Sequence, residues 1–425
     1  MSETTEQKDQ NWLIRLKEES WEAELLISTV AIFGTIQLFK LIDGATILAI
    51  DKLPPSQYII GYWIVSLGLI AVSILTTMFI THFLLRAYWV GLVGLNSVFP
   101  DYGLQDSAYS EIYTRKILSI LPKLKKTISD VDELSSVIFS AAFFMLIING
   151  YMSLTVCAGL ILFNLLSPYV SQYILLLPLL ILGIMYLGLI IISVLANIKK
   201  FKQNEKIQHW YFLGVKWSSL LMLGPLYKFL LQISMTFASN YKKKKSLIVL
   251  TFTIAIFGFI LADHQFEKSN IPYLLNHKLA FDATRTNSNF YANQSKEYVF
   301  LVAPQIDEDI VTTDILKLFI PIFSYEKNWY NELCGPKPEK VEERPQWYLD
   351  CYSSYHEVFL NGEKINAPFL KQERPETGQF GIIVYLDLVN AKRGNNIIKV
   401  VKKIENPLEW EVPFQWVGRD KGPGI

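Results

Sequence analysis

Few residues in this chain are placed to do chemistry, and they fall into three sets. The first is ionisable side chains at the ends of apolar runs: Lys40 and Asp43 three residues apart, His82 and Arg86 four apart, and Lys228 alone near the middle of a half-apolar stretch. A charge inside a bilayer is costly, so such residues mark proton relays, ion pathways or voltage sensors, or else snorkel to the headgroups as anchors. The anchor reading is favoured for Lys40 with Asp43 and for His82 with Arg86, because Tyr88 and Trp89 lie beside Arg86 at the expected headgroup level. The second set is Cys334 and Cys351, joined by His356. Two thiols are too few for a structural zinc site but enough for one disulfide in an oxidising compartment. The third is the run Lys242, Lys243, Lys244 and Lys245, a contact for anionic lipid.

No phosphate-binding G-x-x-x-x-G-K-[ST], dinucleotide G-x-G-x-x-G, H-E-x-x-H or G-x-S-x-G pattern occurs, and the five histidines are scattered. The sequence therefore calls for no metal or cofactor, and leans away from an enzyme. A net charge of +1 gives no reason to expect nucleic acid.

The elements that carry these residues are mostly apolar. Of 425 residues 51% are hydrophobic and only 19% charged, too apolar for a soluble chain of this length. Almost uncharged stretches at 25–39, 58–85, 137–166, 173–196 and 247–262 approach or exceed the ~20 residues that cross a bilayer as a helix. Asn149 and Cys157 lie inside one of them and read as helix contacts. The first twenty-four residues are polar and mixed in charge, with Trp12, Leu13, Leu16 and Trp21 among them. They read as a cytoplasmic surface helix, not a signal peptide.

Orientation follows lysine and arginine in the short connections. Residues 86–136 hold Arg115, Lys116, Lys123, Lys125 and Lys126, and the segment after Asn197 holds Lys199, Lys200, Lys202, Lys206 and Lys216; the connection after the first span holds only Lys52 and that at 167–172 holds none. The N-terminus and both basic connections are thus expected in the cytoplasm. Residues 211–239 decide the rest. Gly224-Pro225 would break a helix there, and Lys228 would cost a spanning helix roughly 2.5–3.5 kcal/mol. The expectation is five spans plus a broken interfacial or re-entrant segment, with the lysine run inside and the C-terminal region outside. A sixth span would reverse the last two placements.

Within the first basic connection, Ile117, Leu121, Leu124, Ile128 and Val131 form one apolar stripe at helical spacing, which Pro122 threatens to interrupt. Ser129-Asp130-Val131-Asp132 has the pattern of a helix start. The stretches HFLLRAYWVGLVGL and DILKLFIPIF resemble segments of uncharacterised bacterial inner-membrane proteins. That resemblance implies a bacterial cytoplasmic membrane and transfers no site.

Beyond a linker at 264–296 the pattern becomes β-like over 297–425. Asn361-Gly362 separates two strand-like runs as a type I′ hairpin requires. Further strands are expected at 297–302, 315–320, 380–388 and 397–401, the last after a loop at 393–396. Trp410, Val412, Phe414 and Trp416 alternate with polar residues, Pro413 marking an edge. The fold class is therefore a multi-pass helical membrane domain, 25–263, followed by a β-sandwich-like extracytoplasmic domain. Two functions fit. One is a membrane-anchored binding or assembly protein of scaffold or sensor type, whose β-domain meets an extracytoplasmic protein partner. The other is a transporter or channel subunit that uses the break at Gly224-Pro225 and forms its pore as a homo-oligomer.

Overall fold

The computed structural model describes residues 21–100, 109–166, 169–241, 245–276, 287–295, 300–389, 391–404 and 407–418. The chain divides into two compact units. One takes residues up to Phe39 and Gly68–His264; the other takes Lys40–Leu67 and Gln265 onward. The expected amphipathic helix before Trp21 and three of the four consecutive lysines lie outside the described residues.

Helix α1 (Trp21–Lys52) has Glu22 and Glu24 in its first turn and Lys52 in its last, the arrangement the helix dipole favours. Pro54 and Pro55 end it, and α2 (Tyr58–Val98) returns after one 3₁₀ turn. With 41 residues α2 is about 60 Å long, twice the thickness of a hydrocarbon core. A short α3 (Glu111–Ile120) stops before Pro122, and α4 (Leu124–Leu166) starts just after it. The stripe from Ile117 to Val131 is therefore split over two helices. Ser129–Asp132 does not start a helix. These residues lie inside α4, because nothing after Pro122 interrupts the hydrogen-bond ladder and the first turn closes on the Lys123 carbonyl.

Helix α5 (Gln172–Asn197) packs with α6 (Glu205–Leu223), whose first N–H groups are capped by Asn204. Gly224, at φ +52°, and Pro225 separate α6 from α7 (Tyr227–Tyr241) as expected. A Cβ at Gly224 would strike the Tyr151 hydroxyl, so the break is also packed against α4. Helix α8 (Lys245–Lys268) follows. Among the described residues, five helical segments are long and apolar enough to cross a membrane, which points to a membrane protein.

The helical unit leaves large apolar side chains exposed and buries small polar ones. Phe33, Leu154 and Ile161 are each about two-thirds exposed, at 67%, 72% and 69%, whereas Ser28, Ser73 and Ser135 are fully buried. Small residues where helices meet let backbones approach. A Cβ on Gly258 of α8 would lie 3.0 Å from the Ile74 Cα of α2. Beside this crossing Leu75, Met78, Phe79, Ile138, Ala142 and Ile254 form the apolar core of the unit.

The second unit begins with the turn between α1 and α2 and continues into α9 (Ile271–Asn276), which lies in the segment expected to be a linker. Ile271, Tyr273 and Leu274 of this helix are buried. Among the described residues, nine strands then form two sheets. In chain order they are β1 (Gln305–Ile306), β2 (Ile310–Val311), β3 (Ile315–Pro321), β4 (His356–Leu360), β5 (Glu363–Lys364), β6 (Leu370–Glu373), β7 (Phe380–Asp387), β8 (Gly394–Lys402) and β9 (Leu408–Trp416). Helices α10 (Tyr330–Cys334) and α11 (Arg344–Tyr355) stand between β3 and β4. The sheet orders are β1-β3-β7-β6 and β2-β9-β8-β4-β5, and one apolar core takes Leu318, Ile320, Val384 and Leu386 from the first and Val358, Val400, Trp410 and Val412 from the second. This is a β-sandwich.

The hairpin at Asn361-Gly362 has both residues at positive φ, 52° and 89°. Residues 394–396 are not loop but the start of β8, paired with Phe414, Gln415 and Trp416. Phe300–Val302 form no strand. A side-chain amide takes the place of a neighbouring strand: Leu301 N–H donates to Gln379 Oε1 at 2.8 Å, and Gln379 Nε2 donates to the Leu301 carbonyl at 2.7 Å. Residues 297–299 lie outside the described chain. Pro413 sits one strand in from the edge, but β2 reaches only Gln415 and Trp416, so the prolyl nitrogen interrupts no ladder. The Pro413 carbonyl accepts from the Tyr291 hydroxyl at 2.6 Å.

Candidate functional site

The residues singled out in the sequence do not converge. Lys40 and Asp43 are exposed on α1 in the second unit, Lys228 is exposed on α7, and Cys157 is exposed on α4. Cys334 and Cys351 are bonded, with Cα atoms 5.2 Å apart, and tie α10 to α11. Among the described residues no group of three or more His, Cys, Asp or Glu side chains is placed to hold a metal ion.

His82 and Arg86 behave otherwise than boundary anchors. Their exposures are 0% and 1%, since α2 turns this face inward between α1 and α4. Spacing of four residues puts both on one helical face, one turn apart. Arg86 Nη1 donates to Asp132 Oδ1 of α4 at 2.6 Å, and Arg86 Nη2 donates to Glu24 Oε2 of α1. One guanidinium thus joins three helices by two charge-assisted bonds. Its Cζ also lies 5.0 Å from the centroid of the Trp89 ring, which meets the Trp21 ring at 5.8 Å.

One turn away, His82 Nδ1 is 2.6 Å from Ser28 Oγ, and its ring packs on Phe139 at 4.9 Å. His82 Nε2 is buried and lies 3.8 Å from Glu24 Oε2, longer than a normal hydrogen bond. Glu24 and Asp132 retain 17% and 20% side-chain exposure, so the cluster opens to its surroundings through the carboxylates. Glu24, Ser28 and Asp132 escaped the sequence reading because Glu24 and Asp132 fall outside the apolar runs. The available signal was the i, i+4 repeat of Glu24 with Ser28 on α1, matching that of His82 with Arg86 on α2.

The second unit buries a different ion pair. Lys402 of β8 donates to Glu326 Oε1 at 2.6 Å and to the Pro321 carbonyl at 3.0 Å, with both charged residues at most 2% exposed. Glu326 also accepts from Phe323 N–H and from the Tyr355 hydroxyl, each at 2.9 Å. Burial pushes the Lys402 ammonium below the usual lysine range, with the Glu326 charge opposing. Burial, and then the Glu326 charge, raise the Tyr355 hydroxyl above the usual tyrosine range. Burial, aided by Lys402, holds His356 well below the ordinary histidine value. Its Nδ1 lies 2.8 Å from the Tyr352 carbonyl and so carries the proton. This pair has its partners supplied and is closed to solvent, so it pins β8 to the turn after β3. The Arg86 cluster, which reaches the surface through Glu24 and Asp132, is the candidate site.

No protein-family model, curated protein or solved structure matches the chain.

Proposed function

We propose that this chain is a binding or assembly protein of the bacterial cytoplasmic membrane, of scaffold or sensor type, that presents its β-sandwich outside the cytoplasm to a protein partner. One observation carries the reading: the turn between α1 and α2 is built into the same unit as the sandwich. Ser324 N–H donates to Asp51 Oδ1 at 2.9 Å, Lys52 Nζ donates to Ser324 Oγ at 2.7 Å, and the Tyr58 ring meets Tyr273 and Tyr325 at 6.0 and 6.3 Å. A domain held by a loose tether could not pass a binding event to helices. A domain that encloses a helical turn can, because α1 and α2 continue from that turn to Glu24 and Arg86.

Orientation follows from charge. Helices α1 and α8 enter the second unit and α2 leaves it, so the ends at Trp21, Val98 and Lys245 all belong to the helical unit, with the basic connections. The bonded cysteines suit an oxidising compartment for the sandwich. The transporter reading draws support from the packed break at Gly224 and stands second, because the interrupted helices α6 and α7 carry no buried charge among their described side chains.

Two measurements test this on the full chain. Alkaline phosphatase fused after Ile425 is expected to be active and a fluorescent protein fused there to be dark; the reverse pattern would sink the orientation. Purified protein in proteoliposomes is expected to pass no solute, and specific flux would favour the transporter.

A further inference from the structure

We propose that α3 is an interfacial helix that docks its apolar face on an anionic lipid leaflet, held there by Arg115, Lys116, Lys123, Lys125 and Lys126. The inference uses the helical unit alone and does not depend on which side of the membrane the sandwich occupies.

Helix α3 is built in a way that calls for a surface. Ser110 caps its start, accepting from Tyr113 N–H at 3.3 Å, and the extended Leu121 before Pro122 ends it after ten residues. A helix shorter than about 12 residues is marginal in water unless one face is packed. No residue of α3 is buried. Yet its apolar side chains are gathered: Ile112, Tyr113, Ile117 and Ile120 fall on one side of the helix. Ile112 and Ile120 are 72% and 78% exposed, more than most side chains of the apolar helices.

The chemistry of that face selects lipid over a protein groove. Residues 109–126 hold the five cations and a single anion, Glu111, which complements a negatively charged leaflet. Lys116 lies within the apolar face, one turn from Ile112 and one turn from Ile120. A protein groove would enclose its ammonium among apolar groups, at the cost of burying a charge. At a leaflet the stem lies along the acyl chains and the ammonium reaches out to a phosphate. The apolar surface is also continuous with that of the preceding helix: beyond Arg86, α2 exposes Tyr88, Val93, Leu95 and Val98, up to the connection that carries α3. Because α3 joins α2 to α4, the two helices bridged by Arg86 and Asp132, its docking makes their connection sensitive to lipid charge.

The test uses the full chain with Cys157→Ser, carrying a nitroxide at Ile120→Cys or, on the opposite side of α3, at Leu118→Cys; the bonded Cys334 and Cys351 take no label. Each is placed in nanodiscs of phosphatidylcholine alone or of equal parts phosphatidylcholine and phosphatidylglycerol. In the anionic discs the label at Ile120 is expected to be relaxed by oxygen dissolved in the lipid and shielded from a water-soluble nickel chelate, and the label at Leu118 to show the reverse. The shielding at Ile120 is expected to fall by roughly twofold or more in the neutral discs, and again when the five cations are replaced by Gln. Should that variant fail to insert, the change of lipid makes the same comparison on unaltered charges. Equal access of the chelate to both labels overturns the proposal, as does shielding of Ile120 that is the same in both discs. Shielding of Ile120 from oxygen and chelate alike also overturns it, and assigns the face to a protein contact such as a second copy of the chain.

Discussion

Among the described residues each unit buries one cation against carboxylate, and the two sites differ in what surrounds them. Lys402 and Glu326 are enclosed on every side: the ammonium faces the Phe323 and Trp410 rings at 5.1 and 5.9 Å, and its acceptors are a carboxylate and a carbonyl. Arg86 is enclosed as a side chain, but its two carboxylate partners are not. A closed pair holds a single arrangement, because any proton or water entering it would disturb a satisfied network. An open one leaves its carboxylates in reach of their surroundings while still joining α1, α2 and α4. The same chemistry thus gives a rivet in the sandwich and an adjustable joint in the helical unit.

The contrast breaks first at Lys402. Replacing it by Met leaves Glu326 charged and enclosed, so denaturant unfolding of the full chain in detergent should show a loss of about 3–5 kcal/mol. Adding Glu326→Gln, which still accepts from Phe323 N–H and the Tyr355 hydroxyl, should recover most of it. Tryptophan fluorescence can follow the transition, since Trp410 lies in the same core. If the double variant is no more stable than the single one, Lys402 acts by packing and not by charge.

Arg86→Leu should cost less, about 1–3 kcal/mol, because Glu24 and Asp132 can take up water where they are already exposed. Arg86→Lys should fall between the two, since one ammonium cannot present the guanidinium's pair of donors to carboxylates on different helices. A double-mutant cycle of Arg86 with Asp132 measures the coupling directly. A cost as large as that of Lys402→Met would mean that the carboxylates are closed off in the membrane and that the joint is a second rivet.

The difference between the sites also explains what the sequence discloses. The positions of the long apolar helices follow from runs of apolar residues and the β-hairpin from Asn361-Gly362, because each depends on neighbours in the chain. The break between α6 and α7 is legible for the same reason, since Gly224-Pro225 carries its own stop signal. Arg86 is visible as an unusual residue, but its partners lie 62 and 46 positions away on other helices. Beyond the i, i+4 repeat of Glu24 with Ser28, a one-dimensional pattern does not show that Glu24 and Asp132 turn toward Arg86. The pin is hidden further: Lys402 ends a strand and Glu326 sits in a 3₁₀ turn, and both look like ordinary surface charges until the sheets close over them. The strand expected at 297–302 is absent from its described residues, 300–302, because Gln379, 78 residues from Leu301, supplies the bonds that a strand neighbour would.

The smallest effect sharpens the comparison through pH. His356, beside the pin, is held below the ordinary histidine value by burial and by the Lys402 charge, so the folded chain keeps it neutral while the unfolded chain protonates it near pH 6.5. Its contribution to stability is therefore full above about pH 6.5 and declines as the pH falls below it. His356→Gln should lower the melting temperature of the sandwich at pH 8 and flatten its decline between pH 7 and 5. Calorimetry of the wild type and His356→Gln across that range checks this; a decline as steep in the variant as in the wild type would mean that His356 is merely packed and does not report on the pin.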